Sequence, residues 1–199
     1  LYASAYHWHS EVYLMHKEFE KAFAESQIAL KHEPYSLIIN THIGINYIYA
    51  GKYQEAVNHL QKTIGFDSTF AIAHYYLGIA YIGLKQFDKA QHHLRIAVDF
   101  APGRMNILST LGYAEGVSGK KEEAKRIEEE LIRQAENKYV PAYDMAVMSL
   151  GLGLEQQAIE YLEKAFIERG PWMPFIGMNP IFISLRNNPH FQELIGKIE

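Results

Sequence analysis

The chain has 199 residues, a net charge of −4 and a pI near 6.2, so no basic excess draws it toward nucleic acid or an anionic lipid surface. It has no cysteine, which excludes disulfides and thiolate metal sites, and no apolar run reaches the roughly 18–20 residues of a membrane-spanning helix. It has no signal peptide, and it begins at Leu1, not Met, with its first helix already under way, so it is expected to be a piece of a longer protein.

Along the chain, one short motif recurs. Residues 17–22 read KEFEKA, followed by GKYQEA at 51–56, KQFDKA at 85–90, GKKEEA at 119–124 and GLEQQA at 153–158, each 34 residues after the last. Frames therefore start at 3, 37, 71, 105 and 139. The first frame sets small Ser10 and Ala22 among larger Tyr13, Phe19 and Leu30, and Pro34 closes it. The second repeats this as Gly44 and Ala56 with Tyr47, Tyr53 and Ile64. The third has Gly78 and Ala90 with Tyr81, Phe87 and Val98, closed by Pro102. The fourth keeps Gly112 and Ala124, but Glu115 and Lys121 replace the aromatics. The fifth keeps Ala146 and Ala158, with Ser149 and Glu155 in those places.

The small residues at frame positions 8 and 20 let two helices approach closely, and larger residues at positions 7, 11, 24 and 28 fill the space around them. A glycine or polar residue near position 15 turns the chain, and proline near position 32 stops the second helix. Each frame thus predicts a helix–turn–helix hairpin that buries its apolar face only by stacking on its neighbours. The run GKKEEAKRIEEELIRQ at 119–134 predicts a solvated outer helix with interleaved charges.

After the fifth frame the rhythm breaks. Pro171, Pro174 and Pro180 rule out one continuous helix there. Asn188 before Pro189 reads as an N-cap and first helical residue. PHFQELIGKI then predicts a short amphipathic helix with Phe191, Leu194, Ile195 and Ile198 inward. The segment is expected to cap the open face of the last hairpin.

The period and the runs HYYLGIAY (74–81) and NTHIGINY (40–47) resemble the tetratricopeptide repeat and its W-x2-L-G-x2-Y signature, with His74 and Asn40 where that signature has Trp. The resemblance implies an all-α, right-handed α-solenoid of about five hairpins with a C-terminal capping helix: repeats over 1–172, cap over 173–199. The fragments YVPAYDMAVMSLGLG, AIEYLEKAFIERGPW and NPIFISLRNNPHFQELI resemble a recurrent bacterial tetratricopeptide tail. In that family the tail follows a winged-helix DNA-binding domain, a class III nucleotide cyclase or a protein kinase. This implies a regulatory module of a bacterial signalling or transcription protein. The cytoplasm is the expected compartment, with the periplasm left open.

In the resembled fold the first helices line a concave groove through frame positions 2, 5, 9, 12 and 13. The candidate partner-binding residues are His7, Glu11, Thr41, Ile45, Ile48, Tyr75, Ile79, Ser109, Tyr113, Tyr143 and Val147. The Lys and Asn pair with which chaperone-binding members clamp a terminal carboxylate does not occur at positions 5 and 9. An apolar, aromatic groove suits a protein partner that offers an amphipathic helix or an extended apolar segment. Tyr75, Tyr113 and Tyr143 are the expected anchors or, equally, packing between repeats.

Ten histidines raise the question of metal chemistry. His7 and His9, or His92 and His93, lack the spacing of three or four that shares a helix face, and no H-E-x-x-H, P-loop or G-x-S-x-G occurs. No catalytic residue, metal or cofactor is expected. Self-association into an assembly scaffold is the alternative reading, and a metal-binding enzyme a remote one.

Overall fold

The computed structural model describes residues 2–136 and 138–198. Within them ten helices form five consecutive hairpins: α1 (Ala3–Met15) with α2 (Phe19–His32), α3 (Leu37–Tyr49) with α4 (Tyr53–Phe66), α5 (Ala71–Gly83) with α6 (Phe87–Phe100), α7 (Met105–Val117) with α8 (Lys121–Ala135), and α9 (Ala142–Gly151) with α10 (Glu155–Ile167). Two 3₁₀ segments, Met173–Phe175 and Pro180–Asn187, lead into α11 (Pro189–Ile198). The described residues contain no strand, and none of their helices is long and apolar enough to cross a membrane. The fold is an all-α solenoid.

The division of labour between helices follows from composition. First helices such as α5 and α7 are covered on several sides and bury most of their length. Second helices carry a narrow apolar stripe and a charged outer face. In α8 only Ala124 and Leu131 are fully buried, which is the solvated helix expected from its charges. The recurring alanines Ala22, Ala56, Ala90, Ala124 and Ala158 are each 0% exposed. Small size at position 8 has an equally direct cause. A Cβ on Gly78 would lie 2.6 Å from Leu94 Cγ, in the facing helix of the same hairpin.

One backbone device makes the hairpin turns. Residues 17, 51, 85, 119 and 153 all have positive φ. After α5, Lys85 N donates to Ile82 O at 2.9 Å and Gln86 N to Tyr81 O at 2.9 Å. This is the Schellman pair of bonds, which satisfies the last carbonyls of the helix. The third turn places a lysine, at φ 57°, where a side chain crowds the following carbonyl. Lys85→Gly is expected to stabilise the fold by about 0.5–1 kcal/mol, as strain relief exceeds the added chain entropy of glycine. Urea denaturation of the two proteins measures the difference.

The fifth hairpin departs from the period. Four first helices start on the first residue of their frame, but α9 starts three residues late, at Ala142. Pro141 precedes it and holds Val140 away from helical backbone. α9 then lies directly along α7 and touches α8 only slightly, whereas α3, α5 and α7 each rest on the preceding second helix. At this seam two glycines meet: a Cβ on Gly116 would stand 1.9 Å from Gly151 O.

The C-terminal segment folds back. α11 packs on α10 and on the second 3₁₀ segment, and that segment packs on α5 and α9. Asn188 Oδ1 accepts from His190 N at 3.0 Å, the N-cap of α11. Phe191 and Leu194 are buried, with Ile195 and Ile198 packed on the same core.

Candidate functional site

The C-terminal segment takes up much of the surface that the sequence marks as the groove. Phe175 stacks on Tyr49 of α3, with ring centroids 5.0 Å apart. Asn179 Nδ2 donates to the Tyr143 hydroxyl at 3.0 Å, and its Oδ1 accepts from Ile181 N. Phe182 meets the Tyr143 ring edge-on at 5.5 Å. Phe175, Ile181, Phe182 and Leu185 are all buried, which is the driving force for the fold-back.

Most of the predicted groove residues are buried. Tyr143, Val147, Ser109, Tyr113, Ile79 and Ile48 are each 9% exposed or less and present no free surface. Tyr143 is an anchor for the chain's own tail, since the apolar tail residues need cover and α9 supplies it. Tyr75 is only partly buried as a residue, but its ring stands edge-on against Tyr76 at 4.9 Å and burial pushes its hydroxyl up to about 12.

The remaining four candidates, His7, Glu11, Thr41 and Ile45, line one cavity of about 220 Å³. Its walls are α1 (His7, Trp8, Glu11, Leu14), α3 (Ile38, Thr41, His42, Ile45, Tyr49), and α5 with its lead-in (Phe70, Ile72, Tyr76). Trp172 and Phe175 close it from the C-terminal side. Ile38, Ile72 and Tyr49 occupy frame positions 2 and 13, so spacing marks them. Trp8 and His42 sit at position 6, outside that set. Trp172 and Phe175 belong to no frame, so no periodic signal reveals them.

The cavity wall is apolar with a small polar cluster. His7 Nδ1, Thr41 Oγ1 and His42 Nε2 are buried without a hydrogen-bond partner. Such groups cost free energy unless something satisfies them. The rings of His7 and His42 lie 4.3 Å apart. Burial lowers the pKa of His7, and burial followed by the nearby His7 charge brings His42 down to about 3. Both imidazoles are therefore neutral near pH 7. Burial raises the pKa of Glu11, because a carboxylate loses hydration between apolar walls.

Elsewhere, buried polar side chains tie helices together, although Asn46 Oδ1, His59 Nε2 and Glu115 Oε2 also have no hydrogen-bond partner. Ser10 Oγ donates to Ala22 O at 2.8 Å, while Asn46 Nδ2 donates to Ser26 Oγ at 2.8 Å and to Ser10 Oγ at 3.0 Å. His74 and His93 pair through their Nδ1 atoms at 3.1 Å, with His74 Nε2 on Ser68 O and Tyr81 stacked on His93. Glu115, where an aromatic lapses, is buried beside Arg95 and Lys120. Among the described residues no three His, Asp or Glu side chains converge on a metal position.

Comparison with known proteins agrees with this geometry. A family model described as TPR repeat matches residues 44–85. No curated protein matches the chain. A thermophilic TPR protein of Thermus thermophilus superposes with a TM-score of 0.68 at 15% identity, over 85% of this chain and 92% of that one. Pseudomonas aeruginosa pilF gives a TM-score of 0.62 at 20% identity, over 98% and 97%. The first TPR domain of human RPAP3 gives 0.56 at 15% identity, over 61% and 95%. At these identities the likeness is one of fold.

Proposed function

We propose, from the premise that this chain is a tetratricopeptide-repeat solenoid, that it is the regulatory part of a bacterial signalling or transcription-regulating protein. Tetratricopeptide repeats are generic protein-interaction and scaffold modules. On this reading the chain does no chemistry of its own, acts in the cytoplasm and holds a segment of a protein partner. The guest seats in the α1–α3–α5 part of the hollow. The observation that carries this is the cavity there, walled mainly by apolar side chains with Glu11, His7, Thr41 and His42 as the polar residues among them. Pockets that bind are mostly apolar with a few polar groups that fix orientation. The resemblance of residues 139–195 to a bacterial regulatory tail supports a winged-helix, cyclase or kinase domain as the guest's source.

The test is titration with such an effector domain of the parent protein. Trp8 and Ile38 are each 62% exposed, so Trp8→Ala and Ile38→Glu spare the fold while altering the cavity rim. Saturable binding that falls at least about tenfold in both variants is expected. Binding unchanged in the double variant excludes the cavity as the seat.

Self-association is a second reading with its own observation. Trp8, Val12 and Met15 form an exposed apolar stripe at helical spacing on α1. Equilibrium sedimentation showing a concentration-dependent dimer that Val12→Glu abolishes supports it, and a monomer at all concentrations ends it.

A further inference from the structure

The cavity has a specific chemistry beyond being apolar. Glu11 is the one acidic residue on its wall, and among the described residues no lysine or arginine lies there to neutralise it. Thr41, His7 and His42 belong to the same wall, with Thr41 Oγ1, His7 Nδ1 and His42 Nε2 buried behind its surface and unpartnered. The residue His42 is 7% exposed and Thr41 2%, so water gives them little compensation. Trp8, Tyr49, Tyr76 and Trp172 supply aromatic rings around the same space.

We propose that this cavity binds an organic ammonium group carried on an apolar stem. An ammonium has three N–H donors and no acceptor. Here it meets the Glu11 carboxylate, an acceptor with no lysine or arginine among the described residues of the surrounding wall. Aromatic faces attract a cation, and more strongly where water is excluded. Ile38 and Ile45 take the stem. The space is sufficient, since a cavity of about 150 Å³ holds benzene and this one has about 220 Å³. An anion is disfavoured by Glu11. Whether the ammonium belongs to a free amine or to a lysine of the guest rests on the segment-binding reading above, but the chemistry of the cavity does not.

Both tryptophans of the chain, Trp8 and Trp172, line the cavity, so intrinsic fluorescence reports its occupancy directly. The full chain is titrated with 2-phenylethylammonium and with its uncharged counterpart 2-phenylethanol. Saturable binding at least about tenfold tighter for the ammonium is expected. Glu11→Gln lowers the ammonium affinity about tenfold and leaves that of the alcohol unchanged. Equal affinity of the two probes for the wild type overturns the proposal, and so does unchanged ammonium affinity in Glu11→Gln. A second pair, Nα-acetyl-lysine N-methylamide and its norleucine analogue, identifies the source. Preference for the lysine compound supports a guest lysine. If phenylethylammonium binds selectively and the lysine compound does not, the site stands with a free amine as its ligand.

Discussion

Gly116→Ala is expected to destabilise the chain by about 3 kcal/mol, at the top of the overpacking range, and to lower its melting temperature by roughly 6–12 °C. The added Cβ would lie 1.9 Å from Gly151 O, and a Cβ on Gly151 would lie 2.5 Å from Tyr113 Cα. Neither obstacle is a side chain that can swing away. Relief needs α7 and α9 to part, which opens the core around Met148 and Tyr143. Gly65→Ala is the control. Gly65 lies in α4, and a Cβ there meets nothing within 4 Å, so alanine's helix propensity is expected to add about 0.5–1 kcal/mol. Thermal denaturation followed by circular dichroism distinguishes the two. Opposite signs are expected, and a neutral Gly116→Ala contradicts the backbone contact.

Asp144 predicts a second large effect. It is 3% exposed, and burial raises its pKa from 3.8 to about 7. The folded state therefore holds a proton that the unfolded state has already released between those two values. The stability tied to this proton is complete below about pH 4 and is lost as pH rises to about 7. The loss is on the order of 4 kcal/mol at its plateau, from about three pKa units at 1.36 kcal/mol each. Asp144→Asn keeps the shape and removes the ionisation. Its gain over wild type is expected to be near zero at pH 4, to grow with pH and to level off above pH 7. Buried histidines act oppositely. Burial brings His93 down to about 4, so their stabilisation is present above the unfolded value and lost as pH falls. The difference between wild type and Asp144→Asn in urea melts at several pH values cancels them. A flat difference contradicts a buried ionisable Asp144.

The five hairpins are legible because the sequence writes their steric logic at a fixed interval. Ala90 cannot be larger where α5 and α6 touch, and Lys85 marks a left-handed turn by its phase despite being a lysine. Frame positions also locate His7, Glu11, Thr41 and Ile45 around one cavity. They mislead further along because Tyr113, Tyr143 and Val147 occupy the same frame positions but are buried, Tyr143 against the C-terminal segment. That segment has no period. Phe175 and Phe182 read simply as apolar residues needing cover, and spacing does not say whether the last hairpin or the hollow supplies it. The shift of α9 onto α7 is equally hidden, since Gly116 and Gly151 mark a crossing only once the two helices are known to meet.

The returning tail also bears on how the molecule comes apart. In a stack whose units touch only the next unit, an end can fray while the middle persists. Here Phe175 against Tyr49 joins the tail to the second hairpin, and Phe182 against Tyr143 joins it to the fifth. Detaching this strap uncovers both hairpins together, so loss of one end is felt across the array. Such contacts, distant in sequence, add cooperativity and slow folding.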